Sequence, residues 1–223
     1  HNNLSEAYKL NGEYEKALDS CELSIQISPD FASARWNRSI LWLLLQRFPQ
    51  AWEEYEWRWR RPATICRQFS CGQQWAGQSF AGQTIFIYEE QGMGDTIQFL
   101  RYLPVVKQLG GSVIFEVVPP LLRLVQGTQG YDRLWLGMKD IDTRPTDRFD
   151  YHIPLLSLPN VFKTTLENVP NDIPYIKPDL DLVRVWKKRV RGDGQFKIGL
   201  VWSGHPDHTN DSNRSMKLSR FEP

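Results

Sequence analysis

Apolar positions in the first sixty residues recur with a helical period, and the whole block then recurs. Displacing the chain by 34 residues sets Asn3 on Asn37, Tyr8 on Trp42, Leu10 on Leu44, Tyr14 on Phe48, Ala17 on Ala51 and Cys21 on Tyr55. Such a period belongs to paired antiparallel helices, with alanine at the close helix crossing, Gly12 in the turn and Pro29 after the second helix. It predicts helices over about residues 2–10 and 14–27, and a second unit from about 31 to 59. From Pro62 to Gly82 the periodicity is lost, and Gly72, Gly77 and Gly82 mark loops. Strand and helix patterns then alternate: strands at about 84–89, 112–118, 133–136 and 150–155, and helices at about 95–108 and 120–125. This order predicts a parallel sheet with crossover helices, and Pro104 predicts a kink in its first helix. A last helix at about 179–191 leads into an apolar strand at about 196–202.

The junction with the most chemical content is Tyr88-Glu89-Glu90-Gln91-Gly92-Met93-Gly94-Asp95, where the first strand of the alternating half turns into its helix. In an open α/β sheet, ligands bind outside the carboxyl ends of strands, where helix N-termini favour negative charge. Asp95 at that spot fits two roles. With Gln98 three residues on, it reads as an N-cap; facing the crevice, it can take a proton from a substrate hydroxyl. Gly92 and Gly94 fit a tight turn, and they equally fit a substrate lying close to the backbone.

Other motifs carry less. Trp52, Tyr55 and Trp59, interleaved with arginines, resemble a stacking surface for bases or sugars, but their helical spacing puts them on one face as a buried stripe. His205-x-x-His208 with Asp207 and Asp211 is too loosely spaced for a metal site, so no metal is expected. The Gly-Met-Gly-Asp turn lacks the full dinucleotide fingerprint, which argues against NAD. The basic residues Arg184, Lys187, Lys188 and Arg191 read as a solvated helix face.

Composition narrows the function classes. A net charge of +1 gives no field to recruit nucleic acid or an anionic membrane surface. Three cysteines without ligand-like spacing read as reduced thiols, which predicts a cytoplasmic location. No apolar run approaches the ~20 residues needed to span a bilayer. The chain starts inside a helical pattern and stops after the opening of a further element, so we expect it to be a fragment of a longer protein.

The first block resembles tetratricopeptide repeats, although Ser5 stands where that pattern prefers Gly and Arg38 where it prefers Leu. Gln74-Trp75-Ala76-Gly77, Glu90-Gln91-Gly92-Met93-Gly94-Asp95 with Gln98-Phe99-Leu100-Arg101-Tyr102-Leu103-Pro104, and Gly199-Leu200-Val201-Trp202-Ser203-Gly204 with Asn213-Arg214-Ser215 extend the likeness over nearly the whole chain. Together they resemble bacterial tetratricopeptide-linked glycosyltransferases of the family 9, heptosyltransferase-like group. That resemblance implies an α plus α/β chain: tetratricopeptide repeats over 1–62, a Rossmann-like acceptor domain over 63–178, and over 179–223 the linker helix and truncated start of a donor-binding domain, in a GT-B arrangement. It implies metal-independent, inverting transfer from a nucleotide sugar, with no cofactor, to a glycan or protein acceptor. Asp95 would be the general base, and Gln91, Gly92, Met93, Gly94 and Gln98 would line the acceptor side. Ser203, Gly204, Arg214 and Ser215 would hold the donor diphosphate. The repeats would bind a protein partner, as similar helices do in O-GlcNAc transferases. The alternative is a non-catalytic interaction module on a degenerate transferase fold. Residues 1–223 alone are expected to be inactive, because most of the donor half is absent from them.

Overall fold

A computed structural model describes residues 1–62, 64, 66–137, 148–190, 194–207 and 210–222. Two units follow one another, His1–Lys177 and Pro178–Pro223.

The first unit opens with two helical hairpins, α1 (Asn2–Leu10) with α2 (Tyr14–Ile27) and α3 (Ala32–Leu44) with α4 (Phe48–Tyr55). The repeat extends to the turn geometry. Asn11, Gly12 and Glu13 donate backbone N–H groups to Ala7, Lys9 and Tyr8, and Leu45, Gln46 and Arg47 donate likewise to Leu41, Leu43 and Trp42. Each of these bonds recurs at the same 34-residue displacement read from the sequence. The left-handed position is Gly12 (φ 79°) in the first hairpin and Gln46 (φ 61°) in the second. A non-glycine there costs about 1–2 kcal/mol, so contacts elsewhere impose the second turn. Ala17 and Ala51 are both fully buried where the helices cross. Arg38, the departure from the repeat pattern, has a buried partner: its Nε donates to Glu54 at 2.7 Å, and Arg35 Nη1 reaches the same carboxylate at 3.1 Å.

A 3-10 turn, Glu56–Arg60, ends the helical part. Next come β1 (Gln73–Gln74), β2 (Thr84–Tyr88), α5 (Met93–Phe99), α6 (Leu103–Lys107) and β3 (Ser112–Val117). The unit continues with α7 (Leu122–Val125), β4 (Arg133–Leu136), β5 (Tyr151–Pro154) and α8 (Leu158–Val161). Among the described residues the sheet is wholly parallel, in the order β1-β5-β2-β3-β4. The edge strand β1 escaped the sequence reading because its two glutamines sit in a glycine-marked loop without apolar alternation. The helix expected at about 95–108 is divided by a 3-10 turn, Leu100–Tyr102. Pro104 has no N–H to give, and its ring would collide with the Leu100 carbonyl of a continuous helix, so the chain tightens just before it.

The two faces of the sheet are covered differently. Ile85, Ile87, Val113, Phe115 and Ile153 face the main core, against which Trp36, Ile40 and Leu43 of α3 and Trp52 of α4 also pack. Trp52 stands edge-on to Phe99, ring centroids 5.9 Å apart. The hairpins therefore share a core with the sheet. Phe86, Tyr88, Ile114 and Phe149 form the second face with Trp59, Phe69, Cys71 and Trp135 against them. Trp59 thus lies apart from the stripe expected with Trp52 and Tyr55, because the 3-10 turn rotates it away.

Among its described residues the second unit has one α-helix, α9 (Leu180–Val190), whose first turn is capped by Asp179 Oδ1, bonded to Asp181 N at 2.8 Å and Leu182 N at 3.2 Å. The strand expected at 196–202 does not pair among the described residues; Phe196 and Val201 are 90% and 92% exposed. An apolar run becomes a strand only with a ladder of neighbours to bond, and among the described residues the segment has one such backbone bond, from Met216 N–H to the Trp202 carbonyl.

His152 sits in the second-face cluster, 4.6 Å from the Phe69 ring, and among the described residues its Nδ1 has no hydrogen-bond partner. Burial pushes its imidazole below the ordinary value. An unfolded chain takes up this proton near pH ~6.5, and the folded chain only at lower pH, so stability drops as pH falls through that window. His152→Phe should leave Tm near wild-type at pH 7.5 and flatten its decline between pH 7 and 5.5. Calorimetric Tm across pH checks this, and an unchanged slope would assign the decline to other groups.

Candidate functional site

Strand order reverses at β2: the chain runs outward through β3 and β4, then returns to place β5 on the other side of β2. The crevice between the carboxyl ends of β2 and β5 is the topological switch point, where open α/β sheets bind ligands. Glu89, Glu90 and Gln91 leave β2 there, and Leu155, Leu156 and Ser157 leave β5.

That crevice holds a side chain from the helical layer. Arg58, 3% exposed, grips the Glu90 carboxylate with Nε and Nη2, both at 2.8 Å. Its Nη2 also donates to Ser157 Oγ at 2.7 Å, and its Nη1 to Glu56 at 2.8 Å. Ser157 Oγ donates in turn to Glu56 at 2.9 Å, and the Leu156 N–H donates to Glu90 at 3.2 Å. The guanidinium lies 4.7 Å and 4.6 Å from the Tyr55 and Trp59 ring centroids. Burial pushes the Glu90 carboxyl up, against the pull of Arg58. A second ion pair lies behind it, where Arg67 meets the buried Glu116 carboxylate on the other sheet face. A Cβ at Gly137 would fall 2.4 Å from Glu116 Oε1, so a larger residue there would push the Glu116 side chain aside.

The expected acceptor-side residues divide into two groups. Gln91 turns inward, its Nε2 donating to the Tyr55 hydroxyl at 2.6 Å. Burial pushes the Tyr55 hydroxyl up, and the nearby charges of Glu90 and Asp95 add to this, so the phenol keeps its proton. Met93, Gly94 and Gln98 are exposed on the first turns of α5. Asp95 is the third residue of this helix, and Gly92 is its N-cap, so the expectation of Asp95 itself as N-cap is corrected. The physical reason is that Gly92 already has the extended backbone of a cap, and the helix starts two residues before Asp95. Asp95 Oδ2 accepts from the Gly92 N–H at 3.0 Å; among the described residues no hydrogen bond reaches Oδ1. Neither glycine has a left-handed backbone, so turn geometry does not require them. A Cβ on Gly92 would meet Asp95 Oδ2 at 3.0 Å, whereas one on Gly94 would meet nothing within 4 Å.

In the second unit, Gly204 N donates to Ser215 Oγ at 2.8 Å, Met216 N donates to Trp202 O at 2.9 Å, and Arg214 Cζ lies 3.9 Å from where a Gly204 Cβ would stand. Three of the four expected diphosphate residues are thereby brought together, while Ser203 Oγ bonds back to the Gly204 carbonyl at 3.3 Å. Asp211 joins them by accepting from Ser215 Oγ at 2.5 Å, a carboxylate the diphosphate assignment left out. His205 and Asp207 are exposed, and His208 lies outside the described residues.

The sequence reading placed Tyr55 in a buried stripe, as it is, but gave no site role to Tyr55, Arg58, Glu90 or Ser157. One signal was available: the 34-residue displacement that aligns Ala17 with Ala51 puts Arg58 on Ser24, a buried position, and a cation there demands a buried acid.

No protein-family profile matches the chain, and no solved structure matches it. Protein FlbA of Caulobacter vibrioides is 30% identical over 233 residues, covering 95% of this chain and 39% of FlbA. The chain thus spans about two fifths of the length of that relative.

Arg58→Met leaves Glu90 buried and unpaired, which should cost about 3–5 kcal/mol of stability. Arg58→Met with Glu90→Leu should recover most of that loss. Urea denaturation of the four proteins of this cycle measures both effects, and a fully additive double variant would show that the two residues do not act as a pair.

Proposed function

We propose that the full-length protein is a metal-independent, inverting glycosyltransferase with a nucleotide-sugar donor, built on tetratricopeptide hairpins and a GT-B pair of Rossmann-like domains. One observation carries this reading. Asp95 stands in the first turn of the helix after β2, with one oxygen bound to the Gly92 N–H and the other unengaged among the described residues, beside open space at Gly94. A glycine that neither backbone nor packing requires, next to a carboxylate at a strand end, leaves room for an acceptor hydroxyl. In the proposed step Asp95 takes the proton of that hydroxyl as its oxygen bonds the anomeric carbon. The bond from that carbon to the nucleoside diphosphate breaks on the opposite face, and the departing diphosphate takes the electron pair. Arg214, with Ser203, Gly204 and Ser215, is the group of this chain suited to bind it, the Gly204 N–H and the two hydroxyls exchanging their bonds to Ser215, Asp211 and the Gly204 carbonyl for phosphate oxygens.

The acceptor is a glycan or a protein, and the location is cytoplasmic. Among the described residues no helix is long and apolar enough to cross a membrane. The hairpins serve a protein partner through a surface other than the Trp36, Ile40 and Leu43 face of α3, which packs inward.

A second reading, a non-catalytic interaction module, draws on a different observation: Arg58, Glu90 and Ser157 fill the switch-point crevice with mutually satisfied groups. A binding scaffold needs no more than that.

The two readings part in a transfer assay on the full-length protein with labelled UDP-, GDP- and ADP-sugars, with and without EDTA. Transfer should persist in EDTA, and Asp95→Asn should lower turnover about 100-fold or more. Turnover near wild-type in that variant would reduce Asp95 to a helix cap, and no transfer from any donor would favour the scaffold.

A further inference from the structure

The Tyr55 hydroxyl belongs to the helical layer, yet it ends beside the loop that leads into the helix of Asp95. Three contacts reach that loop and its helix from successive turns of α4 and the 3-10 turn after it. Trp52 packs edge-on against Phe99 at the far end of α5, Tyr55 Oη accepts from Gln91 Nε2 at 2.6 Å, and Arg58 holds Glu90. Residues three apart on a helix lie on one face, so these side chains act as a single edge against β2, its loop and α5. The three contacts differ in kind. Trp52 contributes apolar packing, and Arg58 completes a buried charge pair whose loss is a loss of fold. Tyr55 is 5% exposed, and its ring is already held by Trp52 (centroids 5.9 Å apart, interplanar angle 83°) and by the Arg58 guanidinium. The hydroxyl can therefore be removed while the ring stays in place.

We propose that Tyr55 is a positioning residue: its hydroxyl fixes the Gln91 side chain and so holds residues 91–95 in the conformation that points Asp95 toward the acceptor space at Gly94. The inference rests on the proposed function for its chemical meaning, and on geometry alone for its effect on the loop. It assigns the hairpins a part in the site itself. Gln91 is the last of the three residues between the end of β2 and the N-cap Gly92, so its side chain sets where the loop enters the helix. The cap bond from the Gly92 N–H to Asp95 Oδ2 follows directly from that path.

Tyr55→Phe, Gln91→Leu and the double variant, made in the full-length protein, test this by hydrogen exchange of the amides of residues 91–95 under conditions where all remain folded. Each single variant should raise exchange about five- to tenfold, the effect of one lost hydrogen bond, and the double variant should exceed neither single one. In the transfer assay, Tyr55→Phe should lower kcat/KM for the acceptor by a similar factor and leave the donor KM unchanged. Wild-type protection in Tyr55→Phe, additive effects in the double variant, or a change confined to the donor KM would overturn the proposal. If wild-type protein transfers no sugar while the exchange pattern holds, the glycosyltransferase reading fails and the assignment of Tyr55 to the loop stands.

Discussion

The Arg58–Glu90 pair is the contact on which the rest of the first unit depends. A guanidinium and a carboxylate taken out of water cost several kcal/mol each, recovered only when geometry is good and every remaining donor is bonded. Here two fork-like bonds join the charges, and Glu56, Ser157 and the Leu156 amide take up the other groups. The participants come from the turn after α4, the loop after β2 and the segment after β5. None can move far without stranding a buried charge. The pair therefore ties the helical hairpins to the switch point of the sheet, and the shared apolar core of Trp36, Ile40, Leu43 and Trp52 lies beneath it.

The Trp36, Ile40 and Leu43 face of α3 is spent on the protein's own sheet. The second hairpin also accepts a left-handed Gln46 and a buried Arg38–Glu54 contact, both departures from the first. These departures occur in the hairpin that touches the sheet. The position aligned with small, buried Ser24 in α2 is occupied by Arg58, whose length reaches the crevice. One repeat position has thus been turned from helix packing to a tie between layers.

Much of the architecture was legible because it rests on local periodicity. The 34-residue displacement found both hairpins and their turns, and alternating strand and helix patterns found β2 to β5. What escaped had non-local causes. β1 exists only because Gln73 and Gln74 lie beside Tyr151 and His152, a pairing invisible in its own two residues. The helix after β2 began at Met93 because Gly92 took the cap position, which moved Asp95 from cap to third residue. The apolar run at 196–202 read as a strand from composition, but a strand is a relation between segments, and no paired strand lies beside it among the described residues. For the candidate site, Asp95 and its glycines were readable from the strand–turn–helix junction. Arg58 and Tyr55 were not, since charged and aromatic residues at helical spacing do not reveal which distant acid or amide they meet.

Tied by the Arg58–Glu90 pair, the hairpins and the sheet should open as one cooperative body. Native-state hydrogen exchange measures this directly, by comparing the opening free energies of amides in α4 (Phe48–Tyr55) and β2 (Thr84–Tyr88) over a series of sub-denaturing urea concentrations. The slowest amides of both elements should converge on a single opening with the same free energy and the same urea dependence. Exchange of α4 through a separate, lower-energy opening that leaves β2 protected would contradict this.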